Sequence, residues 1–247
     1  MKTVLIPTLN EGANIGRLIP LIFEHLEESE TSVIVIDEDS RDNTQEIVKE
    51  LSDTYNVKLL VRKNSSGISS AVRHGAENAG NGYVAVMDAD FSHHPRDLGP
   101  MFKKLDEGYD IVIGSRYVDG GRMTGWPIYR TILSLGATAI AKTLLRVPVS
   151  DPMSGFAAFR SNRIILDHMC ESYIHQPYTK FLIEILGSGT FRVAEIPIEF
   201  KNRQRGESKL TPATALLYLD QVFRQIVARN GHSMDNHVDR VPAQDWD

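Results

Sequence analysis

The sequence predicts an α/β fold with a mainly parallel sheet flanked by helices. Between Thr3 and Gly114, apolar runs of strand length alternate with stretches in which apolar residues recur at helical spacing. The run 32–37 is almost continuously β-branched, which is typical of a strand buried on both faces. Strands that alternate with helices form parallel sheets through right-handed crossovers. A chain of 247 residues can bury one full core, so we expect one domain with a carboxyl-terminal extension.

Each predicted strand is a short apolar run bounded by polar or turn residues. The five strands are 3–7, 32–37, 57–61, 83–87 and 110–114. Each predicted helix shows helical spacing of its apolar residues, and the second is preceded by the good N-cap residues Asp42, Asn43 and Thr44. The four helices are 13–26, 46–51, 68–78 and 95–105.

Polar side chains follow three of these strands at the point where each strand ends. Asn10 and Glu11 follow the first strand, the acidic segment 37–39 ends the second, and the segment 88–90 follows the fourth. Ligands of such sheets bind outside the carboxyl ends of the strands. One acidic residue alone would favour a loop or a helix cap, whereas three clusters at one edge favour a site. No G-x-G-x-x-G follows the first strand, which disfavours a dinucleotide-dependent dehydrogenase.

The pair Asp88 and Asp90 predicts a metal site. The two carboxylates leave the fourth strand on the same side, and such hard oxygen ligands hold Mg²⁺ or Mn²⁺ against a diphosphate. Ser92 either adds an oxygen, directly or through a water, or caps the helix that begins near Pro95. The adjacent His93 and His94 lack the spacing of a helical zinc pair, and no cysteine lies nearby, so a supporting role is favoured for both.

Composition limits the partners and the compartment. The formal net charge of -5 gives no reason to expect nucleic acid. The single cysteine, Cys170, cannot form an intramolecular disulfide, so a reduced, cytosolic setting is the default. The amino-terminal apolar stretch 3–6 is too short for a signal peptide. The stretch 131–149 contains Lys142 and Arg146, and we therefore expect an amphipathic helix and no membrane span.

Seven motifs resemble those of the inverting family 2 glycosyltransferases with a GT-A fold, and within that family the dolichol-phosphate mannosyltransferases, or polyprenyl-phosphate mannose synthases. They are 4–11, 37–44, 87–95, 114–117, Trp126 with Arg130, 150–156 and 206–210. They cover most of the chain in order. Two positions depart from the family pattern. Leu9 stands where an aromatic residue is common, and Glu38-Asp39-Ser40 stands where Asp-Gly-Ser is common.

The resemblance implies a donor site at the carboxyl edge of the sheet. The donor is expected to be GDP-mannose, and its base and ribose are expected to contact Pro7, Asn10, Glu11 and Asp37. The donor phosphates are expected at Asp88 and Ala89, with a divalent ion held by Asp88, Asp90 and Ser92. A basic loop that carries Arg203 and Lys209 is expected to close over the diphosphate. For Glu38, a site role and a plain loop charge are equally favoured.

The resemblance also implies an acceptor site for the phosphate of a polyprenol. Arg116, Arg130 and Ser134 are expected to bind that phosphate. Asp90, Arg116 and Arg130 are the expected catalytic residues. Asp151 is expected to contact sugar hydroxyls or to orient Arg130, with a turn residue as the alternative.

The organisation follows from these assignments. We expect a glycosyltransferase domain over 1–229 that includes a helix at about 211–229, which either packs on the core or lies in a membrane interface. A polar tail over 230–247 is expected to be disordered. The stretch 131–149 offers a second interfacial surface. The enzyme is expected at the cytoplasmic face of the plasma membrane or the endoplasmic reticulum, with or without an anchoring subunit.

The predicted reaction is the transfer of mannose to dolichyl phosphate, which forms a lipid-phosphate sugar for glycan assembly and protein glycosylation. One alternative is transfer of glucose or N-acetylglucosamine from a UDP-sugar to the same lipid. The other is a non-catalytic module that binds nucleotide sugars.

Overall fold

The computed structural model describes residues 1–63, 67–145, 147, 149–161, 163–167, 169, 180–188, 190–202, 220, 222–223 and 237–241. Its strands are β1 (Lys2–Thr8), β2 (Thr31–Asp37), β3 (Val57–Val61), β4 (Gly82–Val86), β5 (Ile111–Ser115), β6 (Arg122–Thr124), β7 (Ala157–Ser161), β8 (Arg192–Pro197), β9 (Glu199–Lys201) and β10 (His237–Arg240). Its α-helices are α1 (Gly12–His25), α2 (Thr44–Leu51), α3 (Ile68–Ala79), α4 (Leu98–Asp106), α5 (Ile128–Leu145), α6 (Arg163–Asp167) and α7 (Phe181–Ser188).

Eight strands form one sheet in the order β10-β8-β5-β7-β4-β1-β2-β3. All neighbours in it are parallel except β7, which lies antiparallel between β4 and β5. Strands β6 and β9 form a separate parallel pair. The predicted mainly parallel sheet flanked by helices is therefore confirmed. All five predicted strands are present with bounds within about one residue of the expected ones, as is usual where β-branched runs are strong.

The core lies on both faces of the sheet. Along β2, Val33 and Val35 belong to one buried cluster, whereas Ile34 and Ile36 belong to the other. Successive side chains of a strand point to opposite faces, so an unbroken apolar run is what a doubly covered strand requires.

The predicted helix 95–105 has two parts. It begins as a 3₁₀ turn, Pro95–Asp97, and continues as α4. The turn is capped by His94, whose side chain accepts a hydrogen bond from the amide of Arg96 at 3.2 Å. The alternative role of Ser92 as the cap of this helix is therefore wrong.

The carboxyl-terminal segment differs from the expected disordered tail. Residues His237–Arg240 form β10 and pair in parallel with β8. The hydroxyl of Tyr109, which lies just before β5, donates to Asp239 Oδ2 at 2.6 Å and adds a side-chain contact to β10. The rest of 230–247 lies outside the described residues, as does most of the predicted helix 211–229. The domain boundary at residue 229 stays a prediction.

Helix α5 leaves many apolar side chains in solvent. Those at least 47% exposed are Ile128, Ile132, Leu133, Leu135 and Leu144. Its inner side includes Ala141, which is fully buried. Among the helices of the described part of the chain, none is long and apolar enough to cross a membrane.

Candidate active site

The carboxyl ends of β1, β2 and β4 meet at one edge of the sheet, and strained backbone collects there. Asn10, Asp39 and Phe91 have φ of 58°, 57° and 59°, and they are the non-glycine residues with positive φ in the described part of the chain. Such conformations are retained mainly at functional sites. Asp39 stands where the family commonly has glycine. Its left-handed backbone explains that preference, because glycine adopts this conformation without steric cost.

The loops after β1 and β2 are tied together by hydrogen bonds. The amide of Asn10 donates to Ser40 Oγ at 2.8 Å, and Asn10 Oδ1 accepts from the amide of Arg41 at 2.9 Å. The amide of Glu11 donates to Thr44 Oγ1 at 2.9 Å. The two loops therefore form one rigid polar rim.

Asp37 lies beneath this rim. Its carboxylate is fully buried and accepts from Thr8 Oγ1 at 3.0 Å, from the amide of Ser40 at 2.9 Å and from Gln45 Nε2 at 2.7 Å. Through these contacts Asp37 stabilises the loop that carries Ser40. The predicted direct contact of Asp37 with ribose or base stays a prediction.

Glu38 forms an ion pair with Arg62 and is therefore not a plain loop charge. Its Oε1 lies 2.6 Å from Arg62 Nη1, and both side chains are largely buried. Burial lowers the pKa of Arg62, and the charge of Glu38 opposes that shift.

Asp88 and Asp90 stand at the end of β4 with different exposure. The Asp88 side chain is 34% exposed, whereas Asp90 is 3% exposed and its Oδ1 accepts from the amide of Ser92 at 3.0 Å. Ser92 Oγ is buried and has no hydrogen-bond partner among the described residues. An orphaned buried hydroxyl beside two carboxylates fits the predicted oxygen ligand set.

A zinc-type site is not found here. The described residues contain no group of three or more His, Cys, Asp and Glu side chains that could hold a metal ion. Two carboxylates instead suit a magnesium-type ion, which is commonly bound by one or two protein carboxylates together with substrate phosphates.

His93 supports the Asp88 backbone. Its ring stacks on Phe156 with centroids 4.8 Å apart, and its Nδ1 accepts from the amide of Asp88 at 3.4 Å. Burial lowers the pKa of His93 even though the charges of Asp88 and Asp90 oppose that shift. A neutral ring whose Nδ1 is an acceptor agrees with the predicted supporting role.

Arg116 is held by Asp151. Nε donates to Asp151 Oδ2 and Nη2 to Oδ1, both at 2.7 Å, and the Arg116 amide donates to Oδ2 at 3.1 Å. Burial acts to lower the pKa of Arg116, but the hydrogen bonds and charge of Asp151 outweigh it and raise that pKa. Asp151 is fully buried, and its expected contacts with sugar hydroxyls or with Arg130 stay predictions. Its observed partner is Arg116.

Three aromatic rings surround the guanidinium of Arg116. Its Cζ lies 5.2 Å from the ring centroid of Tyr117, 5.8 Å from that of Trp126 and 5.4 Å from that of Phe200. Aromatic faces stabilise a cation without neutralising it. Phe200, on β9, was not predicted from the sequence, because no local signal links it to residues 116–126.

Ser134 joins the same surroundings from α5. Its Oγ accepts from the Tyr117 hydroxyl at 2.8 Å. Arg130 lies one turn earlier on α5, and its side chain is outside the described part of the structure, as are Arg203 and Lys209.

The loop 150–155 brings the two sides together. A Cβ at Gly155 would lie 3.5 Å from Asp88 Oδ2 and 3.8 Å from His93 Cε1. Ser154 Oγ donates to the carbonyl of Gly114 at 2.7 Å, just before Arg116. One loop therefore lies against both the Asp88 carboxylate and the strand end that leads to Arg116.

Comparisons with known proteins agree with this arrangement. The family model described as glycosyl transferase family 2 matches residues 3–164. A dolichol-phosphate mannosyltransferase of Pyrococcus furiosus is 38% identical over 97% of this chain, which spans 66% of that protein's length. Proteins with the same name from Mycosarcoma maydis and Saccharomyces cerevisiae are 34% and 32% identical, over 89% and 93% of this chain and 77% and 88% of their own lengths.

A solved structure shows the same fold. The glucosyl-3-phosphoglycerate synthase of Mycobacterium tuberculosis, in complex with Mn²⁺, UDP and glucosyl-3-phosphoglycerate, superimposes with a TM-score of 0.59 at 16% identity. The match covers 94% of this chain and 81% of the other. The predicted GT-A fold is confirmed, and the sequence matches confirm the family that the motifs predicted.

Proposed function

Since this chain belongs to glycosyl transferase family 2, we propose that it transfers mannose, with inversion, from GDP-mannose to a dolichyl or other polyprenyl phosphate. The names of three relatives, from an archaeon and two fungi, support this substrate pair. The substrates are proposed to bind in a cleft between Asp88 and Asp90 on one side and Arg116 on the other. The observation that carries the proposal is the loop 150–155, which passes beside Asp88 at Gly155 and holds Arg116 through Asp151. A donor diphosphate needs the first side and an anionic acceptor needs the second.

The donor side suits a nucleotide diphosphate. Asp88, Asp90 and Ser92 are the residues that would hold a divalent ion there, the serine directly or through a water. When bound, Mg²⁺ or Mn²⁺ supplies charge neutralisation for the departing diphosphate. The rim built from Asn10, Glu11 and Ser40 presents backbone and side-chain oxygens that suit ribose hydroxyls or a guanine edge.

Three further residues complete the proposed donor site. Pro7, near the carboxyl end of β1, is partly exposed between the buried Ile6 and Thr8. Arg203 and Lys209 are proposed to close over the diphosphate.

The acceptor side supplies cations and no strong base. A phosphate monoester has its second pKa at about 6, so at neutral pH it is already a nucleophile. One phosphate oxygen forms a bond to the anomeric carbon while the bond from that carbon to the diphosphate breaks on the opposite face, which inverts the configuration. Arg116 orients the attacking phosphate, together with Arg130 and Ser134.

Helix α5 points to a membrane-bound acceptor. Its exposed apolar side chains, Ile132 and Leu133 among them, lie on the same helix as Arg130 and Ser134. An apolar surface next to a phosphate site suits a lipid whose head group lies at the interface. We therefore propose peripheral binding at the cytoplasmic face of a membrane.

A donor screen tests the reaction. Purified protein is incubated with Mg²⁺ or Mn²⁺, several polyprenyl phosphates, and GDP-mannose, UDP-glucose or UDP-N-acetylglucosamine. We expect a lipid-phosphate mannose from GDP-mannose. Product only from a UDP-sugar would show that the donor is that UDP-sugar and not GDP-mannose. Calorimetric binding of a donor with no product from any pair would indicate a binding module.

Vesicle flotation tests the membrane proposal. Ile132→Gln combined with Leu133→Gln is expected to reduce binding to phospholipid vesicles by about tenfold. Val61→Thr is the matched control, because Val61 is also an exposed apolar residue, 39% exposed, but lies on the edge strand β3. Equal binding by both proteins would remove α5 from the interface.

A further inference from the structure

Glu195, in the middle of β8, is a buried carboxylate that the proposed reaction does not use. It is fully buried, and its Oε2 accepts from the amide of Ser150 at 2.7 Å and its Oε1 from the amide of Asp151 at 3.0 Å. Asp151 in turn binds Arg116 through both carboxylate oxygens. Glu195 therefore fixes the peptide groups from which the Asp151 side chain reaches Arg116.

The carboxyl-terminal strand β10 reaches the same loop. Arg240 pairs with Glu195 in the parallel register, its Nε donates to Ser150 Oγ at 3.1 Å, and the same nitrogen lies 3.9 Å from Glu195 Oε2. The amide of Val241 donates to the carbonyl of Glu195 at 3.0 Å. Backbone and side-chain contacts thus join residues 240–241 to the loop that precedes Gly155.

The contacts from Arg240 to Arg116 form a chain that begins and ends with a cation and has two carboxylates between them. Arg240 stands next to Glu195, Glu195 binds the backbone of Asp151, and the Asp151 side chain pairs with Arg116. A carboxylate removed from water is costly unless its oxygens are satisfied, so each member depends on the next. Displacing Glu195 would free the loop 150–151 and allow the Arg116–Asp151 pair to shift.

We propose that Glu195 and Arg240 are positioning residues for the acceptor phosphate. They act through Ser150 and Asp151 and fix the direction in which Arg116 presents its guanidinium to the cleft. The inference rests on the proposed function, because it gives Arg116 the role of binding the acceptor. The donor side does not share these contacts, so its affinity is expected to be independent of them.

Two variants test the proposal in the full chain. Glu195→Gln keeps the shape of the side chain but presents an NH₂ group to one of two backbone donors. We expect the KM for the polyprenyl phosphate to rise about tenfold, a typical effect of one lost charge-assisted hydrogen bond. Arg240→Ala is expected to raise it about threefold, because the Arg240 side chain is 60% exposed. Calorimetric affinity for GDP-mannose should stay unchanged in both.

The matched control is Asp110→Asn. Asp110 Oδ2 accepts from the amide of Arg192 at 2.9 Å, which is also a contact between a carboxylate and a backbone amide at β8, but at the amino-terminal end of that strand. This variant should leave the acceptor KM unchanged. Weakening of donor and acceptor alike in Glu195→Gln, or no change in the acceptor KM, would overturn the proposal.

Two further measurements keep the outcome decisive. If Glu195→Gln does not fold by circular dichroism, Arg240→Ala and Ser150→Ala decide, and an unchanged acceptor KM in both would overturn the proposal. If the wild-type protein makes no product, calorimetric binding of a short-chain polyprenyl phosphate replaces the KM. Failure of the reaction is then separate from failure of the positioning role.

Discussion

The proposed donor side and the proposed acceptor side of the cleft are held together by different kinds of contact. The donor side uses loops after β1, β2 and β4, in which Asp37 and Asn10 accept from backbone amides and the amide of Asp88 donates to the His93 ring. The acceptor side places Arg116 and Asp151 almost without exposure to solvent and supports them from β8 and β10. Both sides contain buried groups, but only the proposed acceptor side depends on a buried ion pair whose members lose their counter-charge when one is removed. Variants on the two sides should differ in how activity and stability respond.

Asp90→Asn gives the largest expected effect on activity. Losing an outer-shell partner of a metal typically costs about 10- to 100-fold, so losing a direct carboxylate ligand should reduce kcat by more than about 100-fold. The free energy of unfolding should change by less than about 1 kcal/mol, because Asn retains an oxygen for the Ser92 amide. Steady-state kinetics and urea unfolding measure the two quantities.

The exposed Asp53→Asn is the control for this variant and should change neither quantity. Undiminished turnover in Asp90→Asn would contradict the metal assignment.

Arg116→Gln tests whether the stability of the protein depends on the ion pair of the proposed acceptor side. The substitution leaves the Asp151 carboxylate buried without its counter-ion, a change that typically costs about 3–5 kcal/mol. We expect a loss of about 3 kcal/mol in urea unfolding together with a strong rise in the acceptor KM. A fully stable Arg116→Gln protein would show that both sides of the cleft are equally independent of folding.

Asp97→Asn is expected to change how the free energy of unfolding depends on pH. Burial raises the pKa of Asp97 to about 6, against the opposing effect of Arg96, and its Oδ2 has no hydrogen-bond partner within the described part of the chain. An acid with a raised folded-state pKa costs stability as pH rises from its unfolded value near 4, and the cost is complete above about pH 6.

The variant should therefore gain about 3 kcal/mol over the wild type at pH 7 and nothing below about pH 4. Urea unfolding at several pH values measures the difference. A gain that is equal at pH 3.5 and pH 7 would exclude ionisation of Asp97 as its cause.

Asp39→Gly has the smallest expected effect. Asp39 has φ of 57°, and glycine adopts that conformation at no steric cost, so the variant should gain about 0.5–1 kcal/mol in thermal unfolding. Glu107→Gly, at φ of -73°, is the control and should lose stability. A destabilised Asp39→Gly protein would indicate that the carboxylate, rather than the backbone, matters in the donor rim.

The elements of the first half of the chain were predictable because their signals are local. The apolar runs that form β1 to β5, the N-cap residues before α2 and the carboxylates after β4 can each be identified within a few residues. The antiparallel strand β7 could not be predicted, because its short run 157–161 does not encode that it inserts between β4 and β5. From the sequence alone, the segment that forms β10 resembles a polar tail. Its pairing with β8 and the Tyr109 contact could not be predicted, because they join residues far apart in sequence.

The same division holds within the candidate site. Residue types and spacing indicated Asp88 and Asp90, and the resemblance to the family indicated Arg116. They did not indicate that Asp37 lies beneath the donor rim, or that Glu38 pairs with Arg62. Burial and hydrogen-bond partners depend on which strands become neighbours, and a motif does not carry that information.

The sequence by itself determined the family, the α/β class and the carboxylate pair, because periodicity and motifs are properties of short segments. Only the tertiary structure decided that Asp151 holds Arg116 and that Glu195 holds the Asp151 loop. The physical reason is that a buried ion pair is stabilised only where the folded chain excludes water and brings partners together. In this protein those partners span residues 116 to 240, and the sheet order is what joins them.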